Sequence, residues 1–485
     1  MSDAPPNIIY YNPDEMRADL LGCYGHPLVK TPNIDRLAAT GVRFDQCHVQ
    51  HTVCSPSRCS FTTGWYPHVR GHRTLWHLLQ PDEPNTLKYL KQAGYQVHWI
   101  GKNDLLAPAS FDDSVTRVHE WQWGTGGDRD IFDPEEPGYW SFLYGPMPDH
   151  GTDWYQVNRA IECIRGWEPG DPPFMIFLAT GLPHCPFTCP QPWYDMYDPD
   201  DLPPLRPAEL DGQPVFKRLI RQYRRLDELD EEVLRKIRAV YLGMISYVDE
   251  MLGRLLEALE ATRRDEDTAV FFFSDHGDWA GDYGLVEKWH AGLDDCLTRV
   301  PMIARTPECE AGHVVEEPIE CFDIMPTTLD LAGVECRHTH FARSMMPQLE
   351  GEPGDPDRAV FSEGGYDPHE PHCYEGDPEG LDDIGANREG IYYPKGRQQQ
   401  EHPESSVRCT KIRTADYELI YRPRGTSELY DLKEDPRELC NLYDEPAYAE
   451  VRAELERRIL DWYVHTSDVV PFERDPRGFP PDLPE

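Results

Sequence analysis

Ala269-Val270-Phe271-Phe272-Phe273-Ser274-Asp275-His276 is an unbroken apolar run that ends on a hydroxyl, a carboxylate and an imidazole. A strand with one wet face alternates apolar and polar residues, whereas a strand covered on both faces reads apolar throughout. The run therefore predicts a buried strand with chemistry at its carboxyl end. Similar text occurs elsewhere. Ile8-Ile9-Tyr10-Tyr11 leads to Asp14 and Glu15, Gln96-Val97-His98-Trp99-Ile100 leads to Gly101-Lys102, and Phe174 through Ala179 leads to His184. With helical segments as crossovers, these runs predict an α/β fold built on a large, mixed but mostly parallel sheet flanked by helices. Open α/β sheets bind ligands beyond the carboxyl ends of their strands, so these strand ends describe one shared site.

The chain has 485 residues, 39% hydrophobic and 11% aromatic, enough for a large domain and a smaller one. We read a catalytic domain over 1–365 and a C-terminal domain over 366–485. The clearest helix spans about 230–264, with Ile237, Met244, Val248, Met251 and Leu255 on one apolar stripe. After Gly365 the composition shifts to Gly, Pro, Asp, Glu and His with little periodicity. The segment 366–404 reads either as a long loop over the site, where His369, His372 and Tyr374 would help choose the substrate, or as a linker. Beyond it, 409–421 and 428–432 read as strands. A closing helix over about 447–463 carries Val451, Leu455, Ile459 and Trp462 on one face, giving a small α+β domain with an antiparallel sheet.

The formal net charge of −40 argues against nucleic acid and anionic membrane surfaces as partners. It also makes individual cations telling, because an anionic substrate needs a local positive pocket. Met1-Ser2-Asp3-Ala4-Pro5-Pro6 carries no basic or apolar leader pattern, and no apolar run reaches the length of a membrane span. Fourteen cysteines without C-x-x-C pairs read as mostly reduced thiols, and the expected location is cytoplasmic.

Cys54-Ser55-Pro56-Ser57-Arg58-Cys59-Ser60-Phe61-Thr62-Thr63-Gly64 reads as a loop entering a helix, with Pro56 in the first turn, where its missing N–H costs nothing. First-turn amides together with Arg58 make a seat for an anion. Asp14-Glu15 and Asp275-His276 are adjacent-ligand pairs suited to Ca²⁺, Mg²⁺ or Mn²⁺. Such pairs elsewhere are ordinary turns or caps; their position after strands favours ligation. Lys102 follows Gly101 at a strand end, Lys288 closes Gly284-Leu285-Val286-Glu287-Lys288, and His184 sits in Leu182-Pro183-His184-Cys185-Pro186-Phe187.

At these residues the chain resembles the sulfatases of the alkaline phosphatase superfamily, whose hallmark C-x-P-x-R is matched by Cys54-Ser55-Pro56-Ser57-Arg58. The resemblance runs nearly the whole length, through Tyr247-Val248-Asp249-Glu250, the 322–330 stretch, Arg343-Ser344-Met345-Met346-Pro347 and Glu428-Leu429-Tyr430-Asp431-Leu432. It implies that a formylglycine-generating enzyme oxidises Cys54 to 3-oxoalanine (formylglycine), whose hydrate is the family's nucleophile. It implies a metal, Ca²⁺ first, held by Asp14, Glu15, Cys54, Asp275 and His276, although Glu15 replaces the usual second aspartate. Arg58 and Lys102 would hold the nucleophile's hydroxyl, Lys288 would grip sulfate, and His184 would protonate the leaving alcohol. Asp104 departs from the pattern, standing where the family has a histidine that helps regenerate the nucleophile. Gly71-His72-Arg73-Thr74-Leu75-Trp76-His77 is similar instead to the phosphonate monoester hydrolases, a sister group, and makes His72 and His77 candidate substrate residues. The implied substrate is a small sulfated sugar or aryl sulfate, with a phosphonate monoester or phosphodiester as the alternative. A non-catalytic binding protein, with Cys54 left as a thiol, is the reading from another class.

Overall fold

A computed structural model describes residues 5–120, 122, 124–129, 131–367, 370, 390–474 and 477. His369, His372 and Tyr374 lie outside them. Eight strands, β1 (Asn7–Asp14), β2 (Val42–His48), β3 (Gln96–Gly101), β4 (Arg117–Val118), β5 (Phe174–Pro183), β6 (Thr268–Phe273), β7 (Arg299–Arg305) and β8 (Val314–Glu320), form one sheet in the order β4-β3-β5-β1-β6-β7-β2-β8. All pairings are parallel except those that β7 makes with β6 and β2. The central strand β1 lies between β5 and β6, with Tyr10 opposite Phe177 on one side and Phe271 on the other.

Side chains alternate across a strand, so the unbroken apolar runs feed two cores at once. Ile9, Tyr11, Ile176, Leu178, Val270 and Phe272 pack on one face of the sheet under two helices, Gly151–Gly166 and Glu231–Thr262. Ile8, Tyr10, Met175, Phe177, Ala269 and Phe271 pack on the other face with the helix Cys54–Thr63. We label these helices in chain order α1 (Cys54–Thr63), α2 (Gly151–Gly166) and α3 (Glu231–Thr262). The five stripe residues of α3 are all fully buried, which is why this helix forms despite its charged outer face.

A second, antiparallel sheet has the order β12-β11-β10-β9, from β9 (Val360–Gly364), β10 (Cys409–Arg413), β11 (Tyr417–Tyr421) and β12 (Glu428–Asp431). Its first strand precedes residue 365, so the small sheet begins before the boundary read from composition. The 366–404 segment is not all loop: a helix, α4 (Tyr393–Glu401), lies inside it. The closing helix α5 (Ala449–Thr466) buries Leu455, Ile459 and Trp462. Trp462 stacks on Phe361 of β9 with ring centroids 4.8 Å apart. Phe361, Ile412, Leu419 and Leu429 join the same apolar cluster as Phe61 of α1, so the small sheet and one face of the large sheet share a core. No disulfide joins the described cysteines. No helix of the described residues is long and apolar enough to cross a membrane.

Candidate active site

The carboxyl ends of β1, β3, β5 and β6 converge on the start of α1. Val53 is extended and Cys54 opens the helix, while Gly64 ends it in the left-handed region (φ 70°), its N–H bonded to the Ser60 carbonyl. All ten residues of α1 are buried. Ser57 Oγ donates to the Asp275 carbonyl (2.6 Å), tying the helix start to the end of β6. Ser274 Oγ donates to the Pro13 carbonyl and accepts from the Met16 N–H, each at 2.8 Å, tying β6 to β1. A register shift between Pro13 and Asp14 turns the end of β1 toward this seam.

Four side chains meet there. Asp14, Cys54, Asp275 and His276 each offer a ligand atom, all within 4.8 Å of one another and all buried. Cys54 Sγ is 3.5 Å from Asp14 Oδ1 and 3.2 Å from His276 Nε2. His276 Nδ1–H donates to the Gly277 carbonyl (3.0 Å), which leaves the Nε2 lone pair facing the cluster. That is the tautomer a metal-binding imidazole needs. Burial lowers the His276 pKa, so the ring is neutral. Burial would raise the Asp14 carboxyl, but Lys102 and Arg58 outweigh it and hold Asp14 well below the usual carboxylate range.

Three cations surround Cys54 and its carboxylates. Arg58, fully buried, bonds Asp275 Oδ2 through Nε (2.9 Å) and Asp14 Oδ2 through a terminal nitrogen (3.1 Å). Lys102 Nζ lies 2.7 Å from Asp14 Oδ2, 2.9 Å from Asp104 Oδ2 and 3.8 Å from Cys54 Sγ. Lys288 Nζ donates to Glu15 Oε2 (3.1 Å) and to His184 Nε2 (2.7 Å). Burial pushes the Cys54 thiol well above its ordinary value, with Asp14 adding to the effect. An unmodified thiol here is protonated and a poor nucleophile.

Not every candidate falls in one place. Glu15 does not join the four-residue group. Its backbone is left-handed (φ 67°), its N–H donates to Asp275 Oδ1 (3.1 Å), and its side chain turns to Lys288 and His184. Burial raises the Glu15 carboxyl well above the usual range against the pull of Lys288. His72 and His77 stand apart as well. His72 Nε2 meets Glu83 Oε1 (3.0 Å), its Nδ1 meets the His77 carbonyl (2.8 Å), and His77 Nδ1 meets Thr74 Oγ1 (3.2 Å). Among the described residues these contacts fold the 71–77 turn on itself, and neither histidine lines the cavity over Cys54.

That cavity holds about 690 Å³ and is bordered by Cys54, Lys102, Asp104, His184 and Lys288. Sequence reasoning missed part of its wall. Tyr392 and Lys395 reach it from the segment read as loop or linker. Lys395 and Arg224 each bond Glu287 at 2.9 Å, clamping the residue before Lys288. Asp153 of α2 accepts from the Gly181 and Leu182 N–H groups (2.9 and 2.7 Å), fixing the chain just before His184. Only Glu287 carried a signal, its adjacency to Lys288.

The sulfatase family model matches residues 6–334, and the C-terminal model of N-sulphoglucosamine sulphohydrolase matches 382–464. The chain belongs to the sulfatase family. It is therefore a sulfuric ester hydrolase by family, within the alkaline phosphatase superfamily. This sulfatase is 28% identical to the uncharacterized sulfatase YidJ of Escherichia coli K12, over 94% of its own length and 87% of the relative. It is 27% identical to an N-acetylglucosamine-6-O-sulfatase of Bacteroides thetaiotaomicron, over 97% and 88% respectively. The solved phosphonate monoester hydrolase of Agrobacterium radiobacter shares the fold, with a TM-score of 0.75 over 95% of this chain and 96% of that one, at 24% identity.

Proposed function

We propose that this sulfatase hydrolyses the sulfate monoester of a small alcohol, a sulfated sugar or an aryl sulfate, to the alcohol and inorganic sulfate. The proposal includes conversion of Cys54 to formylglycine and a divalent cation, Ca²⁺ first and Mg²⁺ or Mn²⁺ as alternatives. The observation that carries it is Cys54 at the wall of a cavity, between an acidic ligand group and three cations. The donor set fits the ion: Asp14, Asp275, His276 and the side chain at 54 would hold it, with the imidazole lone pair already turned inward. Charge supports it too. Asp14, Asp104 and Asp275 match Arg58, Lys102 and Lys288 in number, and burial favours the neutral form of Glu15, so an anionic ester meets a positive site only with a divalent cation present. When bound, the cation and the aldehyde hydrate supply charge neutralisation and a hydroxyl nucleophile.

The chain's own residues do the rest. Arg58 bonds both the Asp14 and Asp275 carboxylates and fixes where their oxygens point. Lys102 keeps a positive charge beside position 54. Lys288 presents its ammonium to the arriving ester, and each such contact contributes roughly 3–4 kcal/mol where water is excluded. Burial and Lys288 hold His184 well below the usual imidazole range. An anionic ester between the two raises the proton affinity of His184, whose Nε2 then takes a proton from solvent and passes it to the leaving oxygen. Asp104, bonded to Lys102 at the cavity edge, takes the place of the family's histidine as base.

Two features favour a second reading, phosphonate monoester or phosphodiester hydrolysis on the same scaffold: the fold likeness to the Agrobacterium enzyme and Asp104 itself. The test has two arms on protein made with an active formylglycine-generating enzyme. Peptide mass should show Cys54 converted from thiol to aldehyde, and aryl sulfate should turn over faster than aryl phosphonate ester. An unmodified thiol sinks the formylglycine reading. A reversed substrate order establishes the second.

A further inference from the structure

His98 of β3, His119 just past β4 and Cys163 of α2 come together at the β3–β4 edge of the large sheet. β3 and β4 pair in parallel with His98 opposite Arg117, and the His119 N–H continues the ladder to the Trp99 carbonyl (3.0 Å). His98 Nδ1 is 3.0 Å from His119 Nε2, and Cys163 Sγ is 3.6 and 3.5 Å from those same nitrogens. All three residues are half-buried. A tetrahedral ion with metal–nitrogen bonds of about 2.0–2.1 Å and a metal–sulfur bond of about 2.3 Å separates sulfur from nitrogen by about 3.5–3.6 Å and the two nitrogens by about 3.3–3.4 Å. Both sulfur–nitrogen edges meet that demand. The nitrogen pair is a few tenths of an ångström close, a change that ring rotation supplies.

We propose that His98, His119 and Cys163 form a transition-metal site of the zinc type, separate from the catalytic centre and with an open fourth position. The three residues border a cavity of about 770 Å³ shared with Arg117, Glu120, Arg159 and Glu162, which gives the ion an entry path and room for a water or a small anion. Arg159 is paired with Glu162 at 2.7 Å, so the acidic and basic side chains around the opening offset one another. On binding, the Cys163 thiol releases its proton to solvent and forms a thiolate–metal bond. The imidazoles give one lone pair each, and the His98–His119 contact is replaced by two metal–nitrogen bonds. Burial, then His119 and Arg117, hold His98 at about 4, and burial lowers His119 as well, so both rings are neutral near pH 7. A thiol gives up its proton on coordination, so one proton leaves per ion bound and binding weakens as pH falls. Two imidazoles and a thiolate select a borderline-soft ion, whereas the carboxylates after β1 and β6 select a hard one. The two sites therefore sort different metals.

The test is titration of the full-length, formylglycine-containing protein with Co²⁺ in the presence of excess Ca²⁺. One equivalent should produce thiolate-to-cobalt charge-transfer absorption, and Zn²⁺ should displace it. Cys163→Ala should lose the band while keeping aryl sulfate turnover, which also reports that it folds. Cys54→Ala should keep the band. His98→Gln and His119→Gln each should weaken Co²⁺ binding by more than about tenfold, the lower bound for losing even an outer-shell partner, and they stand in if Cys163→Ala does not fold. No band in the parent protein, a band that survives Cys163→Ala, or a band lost in Cys54→Ala would overturn the proposal.

Discussion

Two clusters of buried charge share the same two chain segments, the one after β1 and the one after β6, and differ in how far they are satisfied. In the first, Asp14, Glu15 and Asp275 face Arg58, Lys102 and Lys288. In the second, a few residues on, Asp282 takes bonds from Arg17 (2.9 Å), Arg206 (2.7 Å) and Arg238 (3.1 Å). The arginines of the second cluster also bond the Trp279 and Ala280 carbonyls and Asp19. No side-chain nitrogen or oxygen of Arg17, Arg206, Arg238 or Asp282 is left buried without a partner, whereas Glu15 Oε1 and a terminal nitrogen of Arg58 are. Burying a charge is costly unless its bonds are made. The second cluster is therefore closed on itself, whereas the first keeps polar atoms that its own side chains do not satisfy.

The backbone between them shows what is being held. Glu15, Ala280, Tyr283 and Glu287 are all left-handed without being glycine. Each such residue costs on the order of 1–3 kcal/mol and persists only where its surroundings enforce it. The arginine lattice on Asp282 lies inside this strained loop and fixes the approach to Lys288.

Breaking each cluster in turn should separate the two roles. The largest effect is expected from Cys54→Ala, which should cut turnover by about 10⁴-fold or more, as removal of a nucleophile does, with the unfolding midpoint nearly unchanged. Substantial residual turnover would end the assignment of position 54. Next, Asp282→Ala leaves buried Arg206 and Arg238 without a carboxylate, and Arg17 with Asp19 alone, and should cost about 3–5 kcal/mol in denaturant unfolding; an unchanged midpoint would show that the lattice is not structural. Lys288→Met should lower kcat/KM by about 10²–10³-fold and shift the midpoint far less than Asp282→Ala. Glu15, already raised by burial, can take a proton and go neutral. The smallest effect is a pH dependence. Burial would raise Asp19, but Arg17 outweighs it and brings it from 3.8 to about 2. A depressed carboxylate contributes stability above its unfolded pKa and loses it as pH falls through the folded one. The parent should therefore lose stability between about pH 4 and pH 2, and Arg17→Met should show a shallower slope across that window.

The parts legible in the sequence were those with a strong hydrophobic pattern. Ile8–Tyr11, Phe174–Ala179 and Ala269–Phe273 are central strands because only a strand covered on both faces tolerates such runs, and their polar ends did converge. The α3 stripe was legible for the same reason. Helix α4, Tyr393–Glu401, was not: Pro394 and Gly396 interrupt a polar stretch whose burial depends on partners distant in sequence. Glu15 was read as a ligand from its adjacency to Asp14, but a left-handed backbone turns its side chain to Lys288, and φ is not visible in residue spacing. His72 and His77 were placed by motif likeness, and the motif does not encode that Glu83 claims His72. The His98–His119–Cys163 cluster escaped notice because a strand pair and a crossover helix, not a short motif, bring it together.

The core shared by the two sheets constrains how such a protein can diversify. Phe361, Ile412 and Leu419 pack in one cluster with Cys59 and Phe61, residues of the very helix that begins at Cys54. A C-terminal unit cannot then be traded as a cassette between relatives without repacking behind Cys54. The cavity rim carries no such constraint at Tyr392, whose side chain borders the cavity from outside that shared core.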